Sequence, residues 1–283
     1  MHAHAHRRGG RLTYTTVRGL GAVAMVLALC AGAAHAQQDK PPDSIPSAPA
    51  PDRWRVLVSP YVWAASVHGR SDILGRSTVL DASFGDVLKT LDLSVMGSAG
   101  ITNGTVGLSF DAQYARTSQA ESVLGDQLRL VNTSALFAVG AYYRIYERAL
   151  GGRTLLGDRQ VFAIEPVVGV RWSQVGLRTS LAGHVSSHGR SWADIFVGSR
   201  VYYDLDAHWN LFAQLDIGGF GLGTRASVSG QAYLGYNSML MNTPVTYRVG
   251  YRVLYQNYQD PNAGPVKLET LQHGPVLGLT FVY

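Results

Sequence analysis

A single cysteine, Cys30, occurs in the chain, so no internal disulfide and no cysteine-based metal framework can form. Charged residues make up 15%, well below the ~25% of an ordinary soluble domain. From Trp54 to the end no apolar run approaches the ~20 residues of a membrane-crossing helix, and no long stretch carries a 3.6-residue period. These shortages argue against disulfide-rich, disordered and helical-bundle classes. What is present is 46% hydrophobic residues with 32 Gly and 15 Tyr, an unusual combination for a soluble enzyme. The net charge of +5 suggests a nucleic-acid partner until the charges are located. Four of the twenty-four basic residues (Arg7, Arg8, Arg11 and Arg18) lie in the first 36 positions, which contain no Asp or Glu. Without that segment twenty basic residues face nineteen acidic ones, so no nucleic-acid partner is expected.

That segment reads as a secretory signal peptide over residues 1–36. The arginines precede an apolar stretch from Gly19 to Ala31, which is short for a membrane span. Ala34-His35-Ala36 follows, with small side chains at Ala34 and Ala36 where a signal peptidase requires them, so cleavage is expected after Ala36. An uncleaved anchor is the alternative. Leu29 is too bulky for a lipoprotein reading of Cys30, and the residues around Arg7-Arg8 do not support a twin-arginine signal. His2, His4 and His6 would leave with the leader. Residues 37–53 are rich in Pro, Ser and Ala and read as a flexible periplasmic linker. Residues 54–283 form the remaining domain.

Period two dominates that domain. Tyr247, Val249, Tyr251, Val253 and Tyr255 alternate with Arg248, Gly250, Arg252, Leu254 and Gln256. Trp209, Leu211, Ala213, Leu215 and Ile217 alternate with Asn210, Gln214, Asp216 and Gly218. Thr105 to Arg116 and Val161 to Trp172 behave likewise. A soluble sandwich also alternates. Here, however, the polar face is small and mixed, many strands are long, and aromatics such as Trp54, Tyr114, Trp172, Tyr203, Trp209 and Tyr255 gather near strand ends. Those are the marks of an antiparallel up-and-down transmembrane β-barrel with interfacial aromatic girdles. The chain ends GPVLGLTFVY, where Leu277, Leu279, Phe281 and Tyr283 share one face. An alternating last strand with a terminal aromatic resembles the signal read by the outer-membrane assembly machinery. A terminal Phe is the commoner form.

Ten strands are expected, at 54–67, 91–102, 105–117, 128–146, 160–176, 190–204, 209–222, 227–241, 245–259 and 270–283. Ten is even, as bacterial single-chain barrels require. The 68–90 link reads as another hairpin or a short helix, so eight or twelve strands stay open. Short turns near Asn103-Gly104, 205–208 and 242–244 would be periplasmic; links at 68–90, 118–127, 177–189 and 260–269 would be extracellular.

The strings SPYVWAASVHG (59–69), SFGDVLKTLDLSVMG (83–97), DIGGFGLG (216–223), GYRVLYQNY (250–258) and HGPVLGLTFVY (273–283) resemble an uncharacterised family of proteobacterial outer-membrane β-barrel proteins, small and porin-like. The resemblance spans most of 54–283. It implies fold and location, and no reaction. Outer-membrane lipid and lipopolysaccharide are the expected surroundings, with the barrel-assembly machinery and periplasmic chaperones as partners during biogenesis.

Few motifs suggest chemistry. Gly221-x-Gly223-x-x-Ala226 matches a dinucleotide fingerprint, but an alternating strand follows where a helix is needed, so no cofactor is expected. His184-x-Ser186 resembles the His-x-Ser pair of outer-membrane lipid A deacylases, where His is the base for a Ser nucleophile; Asp194 is the nearest carboxylate in sequence that could orient it. The bland reading is a polar external loop. His184 and His188 share a strand face, but no third ligand is near and no metal is assigned. His68 and His208 read as loop or turn residues, and His273 as inward-facing. Asp111, Glu165, Arg171, Asp194, Arg200, Asp216, Arg248 and Arg252 fall on the inward face. Charges there must pair or stay hydrated. They form either a plug or a charged constriction. A lumen of about ten strands is narrow, and Phe196, Tyr202 and Phe212 narrow it further. The expected role is structural, adhesive or narrow-channel. A lipid-modifying hydrolase and a secreted periplasmic sandwich are the alternatives.

Overall fold

The computed structural model describes residues 54–283 apart from 74–75, 124–125, 156, 183 and 260–266. The expected leader and linker lie outside the described residues. Among the described residues there are thirteen strands: β1 (Arg55–Trp63), β2 (Ser66–Ile73), β3 (Arg76–Ala82), β4 (Leu91–Thr102), β5 (Val106–Val123), β6 (Asp126–Tyr143), β7 (Tyr146–Arg153), β8 (Arg159–Leu181), β9 (His184–Asp204), β10 (Trp209–Gly218), β11 (Thr224–Leu240), β12 (Thr243–Gln259) and β13 (Lys267–Val282). One helix, α1 (Phe84–Thr90), separates β3 from β4. Ser83 starts it: its hydroxyl accepts from the Asp86 N–H, and the Asp86 carboxylate accepts from the Ser83 N–H. The 68–90 segment therefore holds both a hairpin and a helix.

Ten strands make a closed antiparallel circuit, β1-β4-β5-β6-β8-β9-β10-β11-β12-β13, with β13 returning to β1. Closure removes the unpaired backbone edges that a bilayer does not tolerate. β2 continues the line of β1 along β13, after a break at 64–65. β7 likewise continues the line of β6 along β8. Both chain ends of the barrel meet at one rim, where Val56 and Tyr283 exchange backbone hydrogen bonds. The short turns near 103–105, 205–208 and 241–242 lie at that same rim.

Alternation sorts the side chains cleanly. On β8, Phe162, Ile164, Val168, Val170 and Trp172 point out, while Ala163, Glu165, Val167, Arg171 and Ser173 are buried inside. The outer run from Phe162 to Trp172 is eleven residues of tilted strand, matching a belt of ~25 Å. Aromatic contacts rim it. Tyr146, Phe162 and Tyr203 form an edge-to-face chain on the side of the termini, where Trp209 also meets Tyr236. Phe137 and Trp172 pack together at the far side. Among the described residues no helix is long and apolar enough to cross a membrane; an apolar belt between two girdles identifies a wall that crosses with strands.

Above the belt the wall does not stop. β8 runs from Trp172 nine residues further to Leu181, roughly 30 Å of strand at ~3.3 Å per residue. β9 pairs with it over the whole length, from Leu181↔His184 downward. β5 and β6 rise together to Val123↔Asp126. The stretches 118–127 and 177–189, expected as loops, are thus mostly paired strand.

Candidate functional site: a lumen crossed by ion pairs beneath an outer sheet

The lumen is crossed by ion pairs placed by the inward alternation of each strand. Arg171 on β8 and Asp216 on β10 meet at 2.7 Å, almost fully buried at 3% and 1% exposure. Gln214 donates to the other Asp216 oxygen at 3.2 Å, and the Phe196 ring lies 4.9 Å from the Arg171 guanidinium carbon. On the opposite wall Arg252 of β12 reaches Asp111 of β5 at 3.1 Å and donates to the Tyr61 hydroxyl at 3.0 Å. Tyr61 and Gln113 both donate to Asp111. Tyr233 donates to Gln231, and Gln231 to Gln214, which carries the polar chain round to Asp216.

Two further layers close the ends. Toward the termini Glu165 lies between Arg144 at 2.8 Å and Arg200 at 3.3 Å. The Arg200 guanidinium carbon sits 3.6 Å above the Tyr142 ring and 5.3 Å from Phe212. Tyr202 and the Val161 N–H both donate to Asp204. Toward the far end Trp63, Leu136, Leu254 and Val276 form an apolar plug. Over it Trp192 and Tyr258 stack with centroids 4.5 Å apart, and Gln256 donates to Ser173. Arg248 has a cation–π contact with Tyr233 at 5.2 Å.

Of the charges expected from sequence, Asp111 pairs with Arg252, Arg171 with Asp216, and Glu165 with Arg200. Among the described residues Asp194 pairs with no arginine. It is fully buried and accepts the Thr224 N–H at 2.6 Å and the Thr224 hydroxyl at 3.0 Å, tying β9 to the start of β11. Alternation shows that a residue faces inward, but not its partner. Arg144 and Asp204 were missed. Asp204 was detectable because it keeps the inward parity of Tyr202, whereas Arg144 lies in the break between β6 and β7 and has no parity to read.

His184, Ser186 and Asp194 are not brought together. His184 and Ser186 stand exposed near the tip of the β8–β9 hairpin. The Ser186 hydroxyl is 3.4 Å from Nδ1 of His188, not of His184, whose Nδ1 is 3.4 Å from the Ala182 carbonyl. Asp194 lies eight residues below Ser186, ~26 Å along the strand, with both oxygens taken by Thr224. His184 and His188 are ~13 Å apart along the same strand, too far for one metal ion. Among the described residues no group of three or more His, Cys, Asp or Glu is gathered to hold a metal. Gly221-x-Gly223 forms the β10–β11 turn, with left-handed backbone at Gly219, Phe220 and Gly221, and leads into a strand. His273, expected inward, faces outward in line with Pro275 and Leu277, because the alternation of β13 continues unbroken.

The outer sheet is the second feature. β5, β6, β8 and β9 rise above the belt as four paired strands with two free sides. β9 pairs with β10 only from Phe196 onward, so among the described residues His184–Ile195 has no strand on that side. β5 pairs with β4 only as far as Thr117. On the inner face of the sheet Leu177 pairs with His188 and Leu181 with His184, and both leucines are well exposed.

No family model and no curated protein matches the sequence. Solved structures match in shape. The outer-membrane protease OmpT of Escherichia coli has 8% identity and a TM-score of 0.47, covering 84% of this chain and 99% of that one. Ail, the attachment invasion locus protein of Yersinia pestis, has 12% identity and a TM-score of 0.34, covering 81% and 98%. Neisserial surface protein A has 14% identity and a TM-score of 0.28, covering 81% and 96%.

Proposed function

We propose that this chain is an integral outer-membrane barrel that does not conduct, and that its role is adhesive, carried by the sheet that rises above the belt. The observation that carries the reading is the set of side chains filling the lumen: the Arg171–Asp216 pair is almost fully buried, and apolar and aromatic layers lie above it. Among the described residues the outer strands of the sheet above the belt have no further strand paired to them there, and Leu177 and Leu181 are exposed on its inner face. Unpaired edges accept an extended polypeptide as an added strand, while apolar side chains beside the edge supply pockets. On this reading the rim that holds Val56 and Tyr283 faces the periplasm and the sheet faces outside the cell.

The test is adherence of cells expressing the chain to immobilised extracellular-matrix proteins. A variant with residues 178–187 replaced by Asn-Gly shortens β8 and β9 and leaves the belt intact. The expected result is adherence by the native chain and its loss in the shortened form, with both still migrating faster on unboiled gels. Equal adherence by both forms, or none by the native chain, would remove the adhesive reading.

A further inference from the structure

Outside the closed circuit, β2 and β3 form a hairpin beyond the belt. Among the described residues β3 pairs only with β2, and β2 joins the wall through β13 alone, from Lys267↔Asp72 to His273↔Ser66. The Phe84 N–H donates to the Ser66 hydroxyl, so the hairpin also seats the start of α1. Two histidines meet across the seam between hairpin and wall, on its outer side. His68 and His273 are diagonal neighbours, because Leu271 pairs with His68 and Ser66 with His273. Their rings stack, with centroids 5.3 Å apart and planes inclined by 18°.

The two rings have different partners. His68 Nδ1 is 2.8 Å from an Asp81 oxygen on β3, and that carboxylate accepts from Nδ1–H whether or not the ring is charged. His273 Nδ1 is 2.7 Å from the Tyr251 hydroxyl on β12. A phenol supplies no counter-charge. A neutral His273 can accept from it, whereas a protonated one must reverse the bond and donate. Partial burial, and then the neighbouring His68, hold the His273 imidazole below its ordinary range. The other charged and titratable groups toward this face are Arg70 on β2, Glu269 and Lys267 on β13, and Tyr255 on β12, whose hydroxyl donates to Glu269. On α1, Asp86 and Lys89 pair with each other. Among the described residues Asp81 is the one carboxylate bonded to either ring.

We propose that the stacked His68–His273 pair is an acid-sensitive latch for the β2–β3 hairpin, closed while the pair holds at most one proton and loosened when both rings are protonated. Two stacked cations repel, so the pair titrates as a unit in two steps. The His68 side chain is 44% exposed, so water screens the repulsion and the steps stand about one pH unit apart, not several. By linkage, a ring whose pKa is depressed against the wall takes protons more readily in the freed hairpin. Its contribution is full above pH ~6.5 and is lost as pH falls to the depressed value. Mild acid therefore weakens the seam and, with it, the seat of α1 on Ser66.

The experiment uses the full chain purified from outer membranes in detergent, scored only where the unboiled protein keeps its fast gel mobility. Exchange of the β2 amides is followed by mass spectrometry from pH ~7.5 to ~5, as protection relative to the intrinsic rate at each pH. The expected result is a fall of about tenfold, one decade per unit of depression, with the β5–β6 pairing unchanged. His68→Gln and His273→Gln should each abolish the fall, since one ring alone has no like charge to meet. His68→Phe and His273→Phe, which keep a ring in the stack, replace any glutamine variant that loosens the hairpin at the upper pH. Imidazole proton resonances, assigned by their absence in these variants, should titrate with midpoints about one pH unit apart in the native chain, and the His273 midpoint should rise by about as much when His68 is replaced. Level protection across the range, or an equal fall in the variants, would overturn the latch. So would a His273 midpoint that does not move.

Discussion

Replacing Asp216 by Ala tests the seal through its most buried element. Arg171 and Asp216 are exposed by 3% and 1%, and their contact is 2.7 Å. Nε and Nη1 of Arg171 are buried without a hydrogen-bond partner among the described residues, so the guanidinium depends on Asp216 for what satisfaction it has. Removing the carboxylate leaves an uncompensated cation in a low-dielectric interior, a loss of about 3–5 kcal/mol. At 1.4 kcal/mol per decade that is roughly two to four orders of magnitude in the folding constant. The double variant Arg171→Met with Asp216→Ala removes the stranded charge as well. It should recover most of the loss, because an apolar side chain of similar volume substitutes for a buried pair at little cost. The assay is equilibrium urea unfolding of the protein folded into vesicles, followed by Trp fluorescence and by gel mobility. A loss below about 1 kcal/mol in the single variant would refute the reasoning, since it would mean that water already solvates Arg171. A double variant no better than the single would refute it too.

Two other changes follow from the same picture. Val168 faces outward in the middle of the belt, so Val168→Arg should cost ~2–4 kcal/mol in the same urea assay, while an arginine at Val185, on the sheet above the belt, should cost almost nothing. The Asp206 carboxylate accepts from the His208 and Trp209 N–H groups at 2.7 and 2.8 Å, which holds its pKa below the ordinary value. A depressed carboxylate stabilises the fold above its unfolded pKa, and the contribution fades as pH falls through the folded one. The protection of the 205–208 turn amides, taken relative to their intrinsic exchange rates at each pH, should therefore fall in acid in the native chain, and Asp206→Ala should lose that acid dependence.

The strand circuit was largely legible in the sequence, because a barrel wall between lipid and lumen imposes a strict period of two. β4 runs over 91–102, the interval its alternation marks. The upper parts of β5, β8 and β9 were not legible. Residues such as His184-Val185-Ser186-Ser187-His188 have water on both faces and show no alternation. They are strand because β8 and β9 stay in continuous register. The same limit applied inside. Parity placed Arg171 and Asp216 in the lumen, but their meeting depends on the stagger of three strands between positions 45 residues apart. The outward His68–His273 pair was missed for a related reason, since the break at 64–65 that sets the register of β2 has no sequence signal.

Planar-bilayer recording on the purified native chain tests the sealed barrel most directly. Silent bilayers at high protein loading are the result the proposed function predicts, with ion pairs, an apolar cluster and a Trp192–Tyr258 stack lying in series along the lumen. Steady stepwise conductance that shifts on Arg252→Ala would contradict it and make the lumen a charged pore.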